Sequence, residues 1–212
     1  MPKIIGSNLA EHRERTRDAL FGALQRLMEE RGFDGITMSD LAREAGIGRT
    51  AIYNHVHDKE DLLMEFVAHE ISVYVENVQK SLATTANPID QLRIFVRSQL
   101  LQERAYLRAP GPPLIQVVSP ETAHQMGKHI AQSSKILRGI IHACINNGLA
   151  PQQDVGIAIT LINGALTGRR IPKEEPERSM FFDAAERFVV RAIGADADGK
   201  LTDLGPIPAC SW

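Results

Sequence analysis

The chain has 212 residues, 43% hydrophobic and 24% charged, a composition that excludes disordered, collagen-like and low-complexity classes. Its two cysteines, Cys144 and Cys210, cannot build a disulfide scaffold, and no apolar run nears the ~20 residues of a membrane span; with charge throughout residues 1–30 and hence no signal peptide, a cytoplasmic protein is expected. Net charge is −2, and residues 1–75 carry 9 Lys and Arg against 13 Asp and Glu, so a nucleic-acid interface there must rest on local placement of charge rather than on totals.

Helical periodicity runs through nearly the whole chain, and an all-α fold is expected. Residues 9–31 space Leu20, Ala23, Leu24, Leu27 and Met28 as one helix face, stopped by Gly32. Thr37 caps a short helix over about 38–45, with Asp40 as its capping-box partner. Gly46 ends that helix, and a second short helix is predicted from about Arg49 to His55. Asp58 caps a long helix from Lys59 to about Lys80. Further helices are predicted at about 89–108, 120–147, 152–169 and 176–193, with Ser119-Pro120 opening the second of these. The stretch after Gly194 keeps no period and is expected to be a flexible tail, 195–212.

Residues 37–59, TMSDLAREAGIGRTAIYNHVHDK, carry the most information. Two short helices meet at a glycine turn, with Ile47 placed to plug the core between them. On the second helix Ala51, Ile52 and Val56 form an apolar arc, while Arg49, Thr50, Tyr53 and Asn54 form an outer face without an acidic residue. Hydroxyl and amide groups, one cation and one aromatic ring suit base edges and phosphates in a major groove. Lys59 opposes the dipole of the helix it opens, which is explained if a phosphate docks there, a solvated lysine being the other reading.

This segment resembles the TetR (tetracycline repressor) family over about residues 11–75: the first helix ending in glycine, Thr37, Leu41-Ala42, Ala45-Gly46-Ile47, Arg49, Tyr53, His55, Lys59-Glu60 and Leu62-Leu63. The departures are Val56, where the family often has Phe, and Gly48, where Ser or Thr commonly caps the recognition helix. The resemblance implies a three-helix DNA-binding domain in residues 1–58, its helix-turn-helix at about 38–57, and a helical effector-binding and dimerisation domain in residues 59–194. It implies a homodimer bound to a double-stranded DNA operator. Thr37, Arg49, Thr50, Tyr53, His55 and Lys59 would contact the DNA, and Lys3, Arg13, Arg15 and Arg17 would add backbone contacts.

Beyond residue 75 the reading is physical. Arg93, Arg97, Arg104 and Arg108 share one side of the 89–108 helix and read as a solvated face, a hold for an anionic ligand or an acidic partner being the other reading. The opposite side holds Phe95 with Gln99 and Glu103, polar groups that either satisfy a neighbour or line a cavity. Met126, His129, Ser133 and Leu137 repeat the pattern on the next helix. Together these seven are candidates for a small-molecule effector pocket, core packing being the other reading. Ile157, Leu161, Gly164 and Gly168 form a second apolar face on the 152–169 helix; with Phe181, Ala185 and Phe188 they are predicted to pair with symmetry mates as a four-helix dimer interface.

No phosphate-binding glycine loop, zinc-type Cys/His spacing or nucleophile–base set is apparent, so no cofactor, metal site or enzymatic activity is expected. The leading expectation is a repressor released from a palindromic operator by a small molecule. The alternatives are an activator or dual regulator, and a helical small-molecule-binding or enzymatic protein without DNA binding.

Overall fold

The computed structural model describes residues 4–101, 112–167, 169–199 and 202–206, without the side chains of residues 4–9, 129, 130, 132 and 133. Regular structure among the described residues is entirely helical. In chain order the α-helices are α1 (Ile4–Arg31), α2 (Met38–Glu44), α3 (Lys59–Leu82), α4 (Pro88–Leu101), α5 (Leu114–Val117), α6 (Pro120–Asn146), α7 (Val155–Leu166) and α8 (Glu177–Ala192), with a 3-10 turn at Ala51–Asn54 between α2 and α3. The chain forms two compact units, one from Met1–Glu70 and Arg104–His129, the other from Ile71–Glu103 and Ile130–Trp212. The division falls inside α3, a little over three turns beyond the boundary expected at residue 58.

In the first unit the predicted face of α1 is buried: Leu20, Ala23, Leu24, Leu27 and Met28 are at most 4% exposed. α2 begins at the predicted capping box. The Thr37 hydroxyl accepts the Asp40 N–H, and the Asp40 carboxylate accepts the Thr37 N–H and hydroxyl. Its other end closes as a Schellman motif, with Gly46 N–H to Arg43 O and Ile47 N–H to Ala42 O. That closure needs a left-handed residue, and Gly46 has φ +69°. Asp58 caps α3 as expected, Oδ1 accepting the N–H groups of Glu60 and Asp61. The start of α6 is tied to α3: Glu60 accepts the Ser119 N–H at 3.1 Å and the Thr122 hydroxyl at 2.6 Å. The hydrogen bond from Thr122, with those from Ser119, lowers the Glu60 carboxyl below its ordinary range.

The second unit packs α4 against α8 and α7, and α7 against α8. Its core gathers Tyr74 and Val78 of α3, Leu92, Phe95 and Val96 of α4, Leu137 and Cys144 of α6, Ile159 and Ile162 of α7, and Phe182 and Val189 of α8. Burial pushes the Cys144 thiol up to about 11, which leaves it inert.

Two expectations are corrected here. The arginine side of α4 is not solvated: Arg93 is 4% exposed, and its Nε donates to Glu186 at 2.8 Å while Arg97 donates to the other oxygen of the same carboxylate. Asp90 adds a second acid beside Arg93 at 3.3 Å, so one buried and one half-buried cation face two buried anions. Arg104 and Arg108 lie outside the described residues. The segment after α8 is not a free tail either, within residues 195–199 and 202–206. Ala195 and Ala197 join the core, and four arginines hold the backbone or side chains that follow. Arg187 donates to Ala197 O, Arg191 to Asp198 Oδ1, Arg93 to Thr202 O at 2.6 Å, and Arg97 to Gly205 O at 3.0 Å. The segment lacks periodicity because guanidinium donors, rather than a helix face, fix it. Cys210 and the rest of the C-terminus lie outside the described residues.

Candidate nucleic-acid interface

The segment predicted as a recognition helix over 49–55 is a single 3-10 turn, Ala51–Asn54, without a side-chain cap. Gly48 has no side-chain acceptor for the first-turn N–H groups, and the turn stays short and tight. Ile52 N–H still reaches Gly48 O, and Val56 N–H reaches Ile52 O. Ile52 and Val56 are 0% and 3% exposed, which anchors the turn in the unit. Ala51, expected to face inward with them, is exposed instead, and Ile47 is half-buried.

The outer face stands as the spacing predicts. Arg49, Thr50 and Asn54 are exposed, and Tyr53 presents 52% of its surface, large for an aromatic ring on a folded domain. His55 is half-buried beside a cleft of about 680 Å³ lined by Arg13, Glu14, Arg17, Asn54 and Glu65, among others. Asn54 belongs to this face although it was not among the candidate contacts. Its neighbours on the turn were the available signal.

Two candidates have other partners. The Thr37 hydroxyl is engaged twice in the α2 cap. Lys59 does not present its ammonium outward: Nζ donates to Phe33 O, Asp34 O and Ile36 O, each at 3.1 Å, and sits 4.7 Å from the centre of the Phe33 ring. Of the added N-terminal contacts, Arg13 is exposed, Arg15 pairs with Glu11 at 2.9 Å, Arg17 lies near Glu14 at 3.8 Å, and Lys3 is outside the described residues.

The acidic excess of residues 1–75 now has an address. Asp40 binds Arg31 and Arg43, Glu44 binds Arg26 at 2.7 Å, Asp58 caps α3, and Asp61 accepts the His57 N–H. The hydrogen bond from the Thr37 hydroxyl, with help from the Thr37 N–H and Arg31, lowers the Asp40 carboxyl to about 2. These carboxylates are spent on caps and internal pairs, and the Arg49–Asn54 face carries none.

Four of the seven effector candidates have described side chains. Phe95 and Leu137 are 1% and 0% exposed in the core of the second unit, and Gln99 accepts the Tyr74 hydroxyl at 2.7 Å. Met126, 4% exposed, belongs to the first unit. Glu103 lies outside the described residues, as do the side chains of His129 and Ser133. An open cleft of about 520 Å³ in the second unit is lined instead by residues such as Thr85, Asp90, Ile94, Arg97, Leu101 and Leu204. Of the dimer candidates, Ile157, Leu161 and Phe188 are 60%, 69% and 53% exposed, and Gly164 is exposed beside them. Met180, unforeseen, adds to the exposed apolar residues of α8. Phe181 and Ala185 are half-buried against the core, and Gly168 lies outside the described residues.

Two helical segments joined through a left-handed glycine, with an acid-free polar face on the second, form a helix-turn-helix. Residues 20–66 match the model for bacterial regulatory proteins of the tetR family. Over 66 residues the chain is 36% identical to the HTH-type transcriptional regulator AlkX of Mycobacterium tuberculosis, a match covering 31% of each chain. The chain thus spans about a third of the length of the curated relatives it matches. Similarity to solved structures extends further and concerns the fold. The regulator FadR from Bacillus subtilis, in complex with stearoyl-CoA, superposes with a TM-score of 0.70 at 16% identity, covering 82% of this chain and 98% of that one. AibR, in complex with isovaleryl coenzyme A and operator DNA, gives 0.65 at 18% identity, covering 85% and 100%. No described helix is long and apolar enough to cross a membrane.

Proposed function

We propose that the protein is a dimeric repressor that leaves its operator when the helical second unit binds a small molecule. The observation that carries the DNA-binding part is the exposed, acid-free face of Arg49, Thr50, Tyr53 and Asn54 on a turn anchored by buried Ile52. Arg49 and Tyr53 supply the base-edge or phosphate contacts, with Thr50 and Asn54 beside them. His55 and the exposed Arg13 flank this face, and Thr37 contributes by capping α2. Two copies of the turn, related by a two-fold axis, enter successive major grooves of a palindrome.

The dimer is formed by the outward faces of α7 and α8. Ile157, Leu161, Met180 and Phe188 each leave more than half of their surface uncovered, a loss that a second copy recovers by burying all four against their symmetry mates. Gly164 allows close approach of the two α7 helices, and Gly168 is assigned to the same face.

The effector site is assigned to α4 and α6, where Gln99 and Tyr74 form a polar pair at the edge of the core holding Phe95 and Leu137. Glu103 and Ser133 of the same unit are carried as further contacts. α3 and α6 each start in one unit and end in the other, so both are covalent routes between ligand and DNA. The ligand acts only through its different affinity for the DNA-bound and free forms. FadR and AibR bind coenzyme A thioesters, which makes acyl-CoA the first ligand class to screen. The test is Arg49→Ala with Tyr53→Ala: the variant stays dimeric and loses retardation of DNA taken from the protein's own genomic neighbourhood. Retained binding by the double variant contradicts the assignment.

A further inference from the structure

We infer that Lys59 is a positioning residue for DNA recognition, acting through the Phe33–Ile36 turn and not on a phosphate. The inference rests on the helix-turn-helix reading. An ammonium group has three N–H donors. In Lys59 all three are matched by backbone carbonyls, those of Phe33, Asp34 and Ile36, at 3.1 Å each. The Phe33 ring lies 4.7 Å from the same nitrogen and adds a cation–π attraction. These carbonyls follow the C-terminus of α1, where the helix dipole favours a positive charge. The cost of a lysine in the first turn of α3 is therefore met at the far end of a different helix. A phosphate contact would require the ammonium to leave three acceptors for one.

The position of the clasp gives it consequence. Ile36 immediately precedes Thr37, the cap of α2, so its carbonyl marks the entry to the helix-turn-helix. Lys59 is the first residue of α3, so its backbone marks the exit. One side chain thus fastens entry to exit, and the turn carrying Arg49 and Tyr53 hangs between them. Without the ammonium, Phe33 O, Asp34 O and Ile36 O lose a shared donor, and the two ends are free to separate. A displacement of about 1 Å in the groove is enough to misalign base contacts, whereas sequence-independent attraction to phosphates tolerates it.

The experiment uses the full-length protein and two probes: a duplex selected from random sequence by the wild type, and a scrambled duplex of equal length. Lys59→Met and Lys59→Arg are titrated over a range of salt concentrations, at a temperature where circular dichroism shows both folded. The clasp predicts that Lys59→Met binds the selected duplex at least about tenfold more weakly, with scrambled binding and salt slope unchanged. Lys59→Arg also loses affinity for the selected duplex, because a planar guanidinium cannot converge on three carbonyls as the ammonium does. Should Lys59→Met fail to fold, the arginine variant carries the test alone, since a phosphate contact would survive in it. A salt slope that falls by about 0.9 per lost contact, with both probes weakened together, overturns the inference in favour of a phosphate contact. So does a lowered melting temperature with selective affinity intact, which makes Lys59 a stability residue only. Failure of the wild type to select any duplex counts against DNA binding itself and is distinguishable from both.

Discussion

Leu161→Glu separates the two protomers of the proposed dimer while leaving each folded. Leu161 is 69% exposed in the single chain, so its cost to the monomer's core is small. Full burial of a leucine side chain is worth about 1.5–3 kcal/mol, so covering the exposed part recovers roughly 1–2 kcal/mol. An isologous interface contains the residue twice, which makes the apolar loss about 2–4 kcal/mol per dimer. Two carboxylates brought toward one another across a two-fold axis add a desolvation cost on top. At 1.4 kcal/mol per factor of ten, the dimer weakens by at least about 30-fold and up to about a thousandfold. Sedimentation velocity at micromolar concentrations reads this directly, with far-UV circular dichroism reporting the fold. Ile115→Glu is the control: it is 57% exposed but lies on α5 in the other unit, and its dimer is expected to persist. An unchanged sedimentation coefficient for Leu161→Glu, or equal loss in the control, refutes the placement of the interface on α7 and α8.

Glu186→Ala leaves Arg93 and Arg97 facing one another without their shared carboxylate in a site where Glu186 is 1% exposed; a loss of about 3–5 kcal/mol in urea unfolding is expected, and a loss below about 1 kcal/mol contradicts the network. Ending the chain at Gly199 removes the Thr202 and Gly205 acceptors of those arginines and is expected to cost about 1–3 kcal/mol in the same assay. Asp40→Asn tests the α2 cap through pH. Because the folded carboxyl is held down to about 2, its contribution is fully present above its ordinary value of 3.8 and is lost as pH falls between the two; wild type and variant therefore differ in unfolding midpoint at neutral pH and converge at the acid end.

Much of the fold was legible because its signals are local. Thr37 with Asp40, Gly46, Asp58 and Ser119-Pro120 each act within a few residues, and each does in the structure what its spacing says. The outer face of the turn was legible for the same reason. What escaped the sequence depends on partners far along the chain. Lys59 finds its carbonyls 23–26 positions away, and Arg93 finds Glu186 93 positions away. A lysine at a helix start reads as a phosphate ligand, and an arginine stripe as a solvated face, until those partners are in view. The recognition segment is shorter than apolar spacing predicts, and the one local signal of this in the sequence is Gly48, which offers no side-chain cap.

The negative total of the N-terminal part and the DNA-binding reading are reconciled by carboxylates spent on caps and internal pairs, which leaves specificity to the Arg49–Asn54 face. The most direct test is selection from a random duplex library by the purified full-length protein, followed by sequencing and measurement of binding stoichiometry. The account predicts an inverted repeat, its half-sites one helical turn (about 10 base pairs) or a multiple apart, occupied by two chains or a multiple of two, and no such enrichment by Arg49→Ala with Tyr53→Ala. Failure of the wild type to enrich any sequence, or enrichment of an unrepeated site by a single chain, contradicts it.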